Sequence, residues 1–171
     1  LYNRRYLITK LPEYLHGDTK LSQGLHVMLS IDELDHFKKE CGHENYIKQK
    51  KKVADGLSHC AGLSEHTLLA RLNESDFFLL MPFQDDVTLK NHLDAFLLEL
   101  KQSIDVQTLE YLAIGIGIGA YSDQDTLKSL FSKADFTVAQ AKQNESFTCL
   151  QEMKVQHSLV LSREEWRHEL V

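Results

Sequence analysis

The sequence predicts an α+β domain in which helices cover one β-sheet. Helical and strand-like patterns alternate along the chain, and a β-hairpin pattern lies near its middle. The 171 residues are enough for a single domain with a sizeable core. The content of hydrophobic residues, 43%, and of charged residues, 26%, is ordinary for a globular protein.

The first third of the chain predicts a helix, a strand and a second helix. Apolar residues recur with helical spacing in residues 1–16, and Gly17 is the expected end of that helix. Residues 25–31, LHVMLSI, predict a buried strand. Residues 44–60 predict a long helix that exposes the run KQKKK at 48–52. We interpret this run as a solvated helix face; a phosphate-binding patch is the alternative.

The motif RLNESDFFLLMP predicts a β-hairpin with strands at about 66–72 and 76–81. The polar residues 73–76 form the expected reversal, and Pro82 ends the second strand. Two acidic residues, Glu74 and Asp76, lie at this tip. The tip is therefore either a cation-binding site or simply a soluble turn.

The second half of the chain predicts a helix, a strand, a helix and a last strand. Residues 86–102 have a helical pattern, with Asp85 or Asp86 as the N-cap. In EYLAIGIGIGAY, residues 110–121, alternation places isoleucines on one strand face and glycines on the other, where a helix or backbone can approach closely. The spacing G-x-G-x-G, with no helix opening behind it, argues against a GxGxxG nucleotide loop. Residues 124–142 predict a helix and SFTCLQ a strand.

The end of the chain, SREEWRHELV, contains the capping box Ser162 and Glu165. A helix is expected to start there and to need a surface on which Trp166 can pack, so we expect another domain to follow. The core order β-α-β-β-α-β is that of a ferredoxin-like split unit, with a central, mainly antiparallel, five-stranded sheet flanked by helices.

Composition excludes several broad classes of function. The net charge of −6 argues against nucleic-acid binding, and no apolar run is long enough to span a membrane or opens the chain as a secretory signal. Three widely spaced cysteines without a CxxC motif favour free thiols in a reducing compartment.

Five sequence blocks, in order, resemble the GGDEF domains, which as active enzymes are diguanylate cyclases. The resemblance covers about residues 1–150 and is assigned to a degenerate GGDEF domain at 1–152, with a connector and helix start at 153–171. The blocks are LYNRRYL at 1–7, LSID at 29–32 with GH at 42–43 and VA at 53–54, RLNESDF at 71–77, IGIGIGAY at 114–121, and ADFTVAQAK at 134–142.

One local match conflicts with this alignment. The string DHFK at 35–38 repeats a family string letter for letter, but its use would require a three-residue deletion before Gly42. The ungapped alignment keeps Leu34 and Phe37 at apolar positions, and we interpret DHFK as coincidence.

The resemblance implies a chemistry whose metal site is altered here. Active members join two GTP molecules with divalent metal held by carboxylates. In this chain Ser30 replaces the first-strand aspartate, and Asn73 and Glu74 replace two glycines that admit the triphosphate. Ser75 replaces the acidic metal ligand of the hairpin, and Asp76 is one methylene shorter than the family's glutamate.

The positions that the resemblance assigns to guanine and phosphate are altered as well. Lys38 and Ile47 stand where the family has an asparagine and an aspartate that bind the base. Lys142 persists and is expected to be a surface helix lysine, while Ser146 replaces a phosphate-binding arginine. The product-inhibition motif RxxD is replaced by SEHT at 64–67.

These departures lead us to expect a catalytically inactive GGDEF domain that acts as a regulatory relay in cyclic di-GMP signalling. The phrase RLNxSDFxLL is similar to receptors of the LapD type, which implies an EAL domain next to this one and a cytoplasmic location in a protein anchored in the inner membrane. No catalytic residue, cofactor, nucleic-acid partner or membrane contact is expected. The alternatives are a GTP-binding allosteric domain or weak cyclase, with Mg²⁺ or GTP bound weakly, and a homodimeric spacer.

Overall fold

The computed structural model describes residues 2–17, 20–82, 85–144 and 147–151. Within them, the structure contains six strands and six helices. They are β1 (Tyr2–Asn3), α1 (Arg4–His16), β2 (Gly24–Asp32), α2 (Leu34–Cys41), α3 (His43–Ala61), β3 (Leu68–Arg71), β4 (Asp76–Met81), α4 (Asp86–Gln102), α5 (Val106–Leu109), β5 (Ala113–Tyr121), α6 (Leu127–Asn144) and β6 (Thr148–Gln151). The predicted α+β class is confirmed, whereas the predicted capping box at Ser162 lies outside the described residues.

The sheet has the strand order β1-β3-β4-β2-β5-β6. Its four inner strands pair antiparallel, and the edge pairs β1 with β3 and β5 with β6 are parallel. The described sheet therefore has six strands, not the predicted five. The extra strand is the two-residue β1, whose Tyr2 pairs with Ala70, and such a short element is set by tertiary pairing.

The structure contains the four helices predicted for residues 1–144 and two additional ones. The structure adds α2, which is separated from α3 by Gly42 at φ 82°, a conformation suited to glycine. It also adds the single-turn α5. At the start of α4, Asp85 is the N-cap of the two candidates, because its carboxylate accepts a hydrogen bond from the Thr88 amide at 3.1 Å.

Both faces of the sheet are buried under helices. The side chains of Phe77 and Leu79 belong to a core shared with α2, α3 and α4. The intervening Phe78 and Leu80 belong to a second core shared with α1 and α6. Leu34 and Phe37 of α2 pack on the first core, as the ungapped alignment expects.

The glycines of β5 admit helix α6 close to the sheet, as predicted. A Cβ added at Gly117 would lie 2.9 Å from Thr137 Cβ and 3.0 Å from Val138 N. Ile116 and Ile118, on the opposite face, are fully buried in the first core. This close approach brings the C-terminal turn of α6 over the end of β2.

Candidate functional site

The candidate site lies where the C-terminal end of β2 meets the β3–β4 hairpin and the end of α6. Ser30 pairs across the sheet with Asp76 on one side and Gly115 on the other. Directly opposite residues point to the same face, so Ser30 and Asp76 share the face that α6 covers. The Ile31 amide also donates to the Ser75 carbonyl at 3.0 Å, which fixes the hairpin against β2.

Lys142 is the cation of this site. Its ammonium donates to Ser30 Oγ at 2.9 Å and to Asp32 Oδ1 at 2.7 Å. Only 16% of its side chain is exposed, so the expectation of a surface helix lysine is wrong. The reason is the bare backbone of Gly115, where a Cβ would lie 2.8 Å from Lys142 Cγ. The lysine stem therefore crosses β5 and inserts toward β2.

Negative charge surrounds this ammonium. Asp135 of α6 interacts electrostatically with both Asp76 and Lys142. Burial, followed by the nearby Asp76, raises the pKa of the Asp135 carboxyl, and Lys142 opposes this shift. Lys142 thus forms an ion pair with Asp32 and interacts electrostatically with Asp135.

Asn73 organises the hairpin tip. Its Oδ1 accepts hydrogen bonds from the Ser75 amide at 2.8 Å and the Asp76 amide at 2.9 Å. Its Nδ2 donates to Asp76 Oδ2 at 2.8 Å. The Asn73 side chain thus accepts hydrogen bonds from two backbone amides of the turn, as in an Asx-turn. The predicted reversal at 73–76 is confirmed.

Glu74 folds back from the tip onto α3. Its Oε2 atom accepts hydrogen bonds from Tyr46 Oη at 3.0 Å and Lys50 Nζ at 3.3 Å, and from Arg71 Nη2 at 2.8 Å. The hydrogen bond from Tyr46, followed by that from Lys50, lowers the pKa of the Glu74 carboxyl. Within the run 48–52, Lys50 therefore contacts the hairpin of the site.

Tyr46 fills the space between α2, α3 and the hairpin. Its side chain is buried, and the ammonium groups of Lys38 and Lys50 lie 5.1 and 5.2 Å from its ring centroid. The sequence analysis did not single out this residue. By contrast, Ile47 on the next position is 48% exposed. Neither Lys38 nor Ile47 is among the residues that line the pocket beside Tyr46.

A scan against protein-family models identifies the chain as "Diguanylate cyclase, GGDEF domain" over residues 1–147. The chain belongs to the GGDEF family. No curated protein sequence matches it.

Solved GGDEF structures share this fold. The GGDEF domain of DgcB from Caulobacter crescentus, in complex with c-di-GMP, superimposes with a TM-score of 0.71 at 15% identity, and the match covers 88% of each chain. The active GGEEF domain of a diguanylate cyclase from Vibrio cholerae gives a TM-score of 0.65 at 15% identity, covering 90% of this chain and 99% of that one.

A third similar structure is a larger fragment. The S helix-GGDEF-EAL fragment of Vibrio cholerae LapD, bound to c-di-GMP, gives a TM-score of 0.61 at 20% identity. The match covers 98% of this chain and 40% of that chain. At these identities the likeness concerns the fold alone.

The residues at the GGDEF site do not fit a divalent metal. Within the described ranges, no group of three or more histidine, cysteine or acidic side chains is arranged to hold a metal ion. The neutral hydroxyl of Ser30 is a weak ligand for Mg²⁺, which prefers carboxylate oxygens. The Asp32 carboxylate is paired with Lys142 at 2.7 Å. The described part of the chain also contains no helix that is long and apolar enough to span a membrane.

Proposed function

We propose that this GGDEF domain does not synthesise cyclic di-GMP and serves as a regulatory module in cyclic di-GMP signalling. The observation that carries the proposal is the contact of Lys142 with Ser30 and Asp32. The departure lies in Ser30, whose neutral hydroxyl stands where the resemblance expects a carboxylate metal ligand and accepts a hydrogen bond from Lys142, the lysine that the resemblance also expects. Glu74 gives further support to the proposal. It places an anionic side chain on the hairpin, where active members have a glycine that admits the triphosphate.

The size of the expected defect follows from the chemistry. Phosphoryl transfer depends on positioning and on metal ions that neutralise the developing charge. Loss of one such electrostatic contact costs about 3 kcal/mol of transition-state stabilisation, and the losses of several need not add. We expect the loss of the carboxylate at Ser30, together with the side chains of Asn73 and Glu74 at the two glycine positions, to bring turnover below detection.

We further propose that the module acts on an EAL domain of the same protein, on the cytoplasmic side of the inner membrane. The support is the likeness of fold to the LapD fragment, which contains both domain types, and the similarity of RLNESDFFLL to receptors of that kind. Such a module works if its packing against the EAL domain differs between the ligand-bound and ligand-free states.

The test of inactivity uses labelled GTP with MgCl₂ and the purified 171-residue chain. The active GGEEF domain of the Vibrio cholerae cyclase is the positive control. We expect no dinucleotide from this chain, and no heat of GTP binding at micromolar concentration by titration calorimetry. Formation of cyclic di-GMP, or micromolar affinity for GTP, would contradict the proposal and favour a weak cyclase or a GTP-binding domain.

The test of the relay compares the full protein with a form that lacks residues 1–152. We expect the affinity of the EAL domain for cyclic di-GMP to change when the module is removed, because the module biases one of its states. Unchanged affinity, combined with a tight dimer of the isolated chain in analytical ultracentrifugation, would instead indicate a spacer.

A further inference from the structure

We infer that the hairpin and α3 form a binding site for a phosphate-class anion, which Glu74 occupies from within the chain. Three donors converge on one carboxylate oxygen, Glu74 Oε2: Arg71 Nη2 at 2.8 Å, Tyr46 Oη at 3.0 Å and Lys50 Nζ at 3.3 Å. The site lies on the α3 side of the hairpin, whereas α6 covers the opposite face of the sheet. The inference goes beyond the proposed function, because it concerns an anion site and not synthesis or relay.

The first support is that the three donors are held in place by contacts other than the carboxylate. Arg71 Nε donates to the Asn73 carbonyl at 3.0 Å, and the Arg71 guanidinium lies 5.9 Å from the centroid of the Phe77 ring. Tyr46 is buried in the first core, and Lys50 Nζ lies 5.2 Å from the centroid of the tyrosine ring. The donors would therefore keep their positions if the carboxylate left, as a preorganised binding site requires.

The second support is that Glu74 is the exposed partner. Its side chain is 71% exposed, whereas the side chains of Lys50 and Arg71 are 25% and 27% exposed. An exposed ion pair contributes little, because solvent screens its charges and an ordered side chain loses entropy. The carboxylate can therefore rotate into solvent and leave the three donors to another anion.

The third support is geometry, which favours a phosphate-class anion over a carboxylate. The donors share a single oxygen atom of Glu74, whereas a phosphoryl group presents three acceptor oxygens and can give one to each donor. A guanidinium group matches the geometry of phosphate, and a lysine adds a point charge. Lys38 brings a further cation, with its ammonium 5.1 Å from the centroid of the Tyr46 ring, and Asp35 also acts on this tyrosine.

The test measures binding of inorganic pyrophosphate by titration calorimetry, in EDTA and at constant ionic strength. Glu74→Ala removes the occupant, and we expect it to bind pyrophosphate at least about tenfold more tightly than wild type, because no charge-assisted hydrogen bond has to be broken first. Glu74→Gln should gain less, because its amide oxygen still accepts a hydrogen bond from Tyr46. No gain in either folded variant would overturn the inference.

Second substitutions in the Glu74→Ala background locate the anion. Tyr46→Phe removes only the hydroxyl, Lys50→Met removes only the charge, and each should reverse most of the gain. Lys51→Met is the matched control, since it removes the charge of an exposed lysine at the next position of α3 and should change the affinity by less than about twofold. Equal losses from Lys50→Met and Lys51→Met would indicate general attraction to the basic run and would overturn the inference.

The experiment uses neither GTP nor a metal ion, so its outcome does not depend on cyclic di-GMP synthesis. Pyrophosphate bound beside Ser30 and Lys142 would keep its affinity in the Tyr46→Phe and Lys50→Met variants. That result would overturn the inference and leave the proposed function unaffected, so the two failures are distinguishable.

Discussion

At the scale of single residues, His26 is a polar side chain within the core. It lies on β2, is fully buried, and neither ring nitrogen has a hydrogen-bond partner in the described part of the chain. Burial, and secondarily the charge of Lys133, lower its pKa to about 4, while Asp125 acts in the opposite direction. The imidazole is therefore neutral in the folded protein at neutral pH.

This environment predicts an acid-dependent loss of stability. Below its ordinary pKa of 6.5 the histidine takes up a proton in the unfolded chain but not in the folded one, until the pH approaches 4. Between about pH 7.5 and pH 5, His26 should therefore lower the free energy of unfolding by about 2 kcal/mol. His26→Leu should remove this part of the pH dependence, as measured by urea unfolding at both pH values.

The control for this prediction is Met28→Leu, a buried substitution on the same strand face that changes no titratable group. It should keep the pH dependence of wild type. Equal losses in wild type and His26→Leu would mean that the folded protein accepts the proton, and the assignment of a neutral, unpartnered His26 would then be wrong.

Asn73 offers a second test at the residue scale, because its side-chain oxygen holds two backbone amides of the hairpin tip. Asn73→Ala should lower the free energy of unfolding by about 1 kcal/mol and speed hydrogen exchange at Ser75 and Asp76. The exposed Asn91 on α4 is the matched control, and Asn91→Ala should be close to neutral. Unchanged exchange at the tip would contradict the role assigned to Asn73.

The positions of the site were predictable from the order of sequence blocks, but their contacts were not. Ser30, Asp76 and Lys142 meet at one end of the sheet. The lysine contacts join residues more than 100 positions apart, and no local spacing encodes such a distance. The one available signal was the alternating glycine pattern, which predicts close helix approach at Gly115 without identifying the side chain that uses the space.

At the scale of elements, the packing of α6 on β5 depends on glycine. At Gly117 an added methyl group would contact the backbone nitrogen of Val138 at 3.0 Å, and a helix backbone cannot move aside as a side-chain end can. Gly117→Ala should therefore lower the free energy of unfolding by about 1 to 3 kcal/mol in urea titrations.

Gly62→Ala serves as the comparison for this prediction. Gly62 ends α3 with φ −67°, and its added Cβ would come no closer than 3.3 Å to any neighbour. This substitution should change stability by less than about 0.5 kcal/mol. Equal effects of the two substitutions would show that the cost at Gly117 comes from the loss of glycine itself and not from the contact with α6.

The elements that the sequence did not predict are short or sparsely apolar. Strand β1 has two residues and helix α5 has four, so neither offers a full period of pattern. In helix α2, Phe37 is the buried residue. The sequence analysis interpreted its string DHFK as a coincidental match to a family motif and did not predict a helix there. The long, regular elements α1, α3, α4 and β5 were predicted because burial imposes its period over many residues.

At the scale of the whole molecule, the two cores share one sheet. Adjacent residues of β4 alternate between them, with Phe78 facing α1 and α6 and Leu79 facing α3 and α4. Each of these side chains is fully buried. We therefore expect the two layers of helices to unfold together, which would let a relay domain move as one rigid body.

This expectation makes a prediction for native-state hydrogen exchange. Phe78→Ala should lower stability by about 3 to 5 kcal/mol, and Leu79→Ala by about 2 to 5 kcal/mol. Because β4 links both cores, each substitution should reduce the protection of the slowest amides in α4 and α6 by the same free energy. If Phe78→Ala affected α6 alone and Leu79→Ala affected α4 alone, the layers would be separate cooperative units.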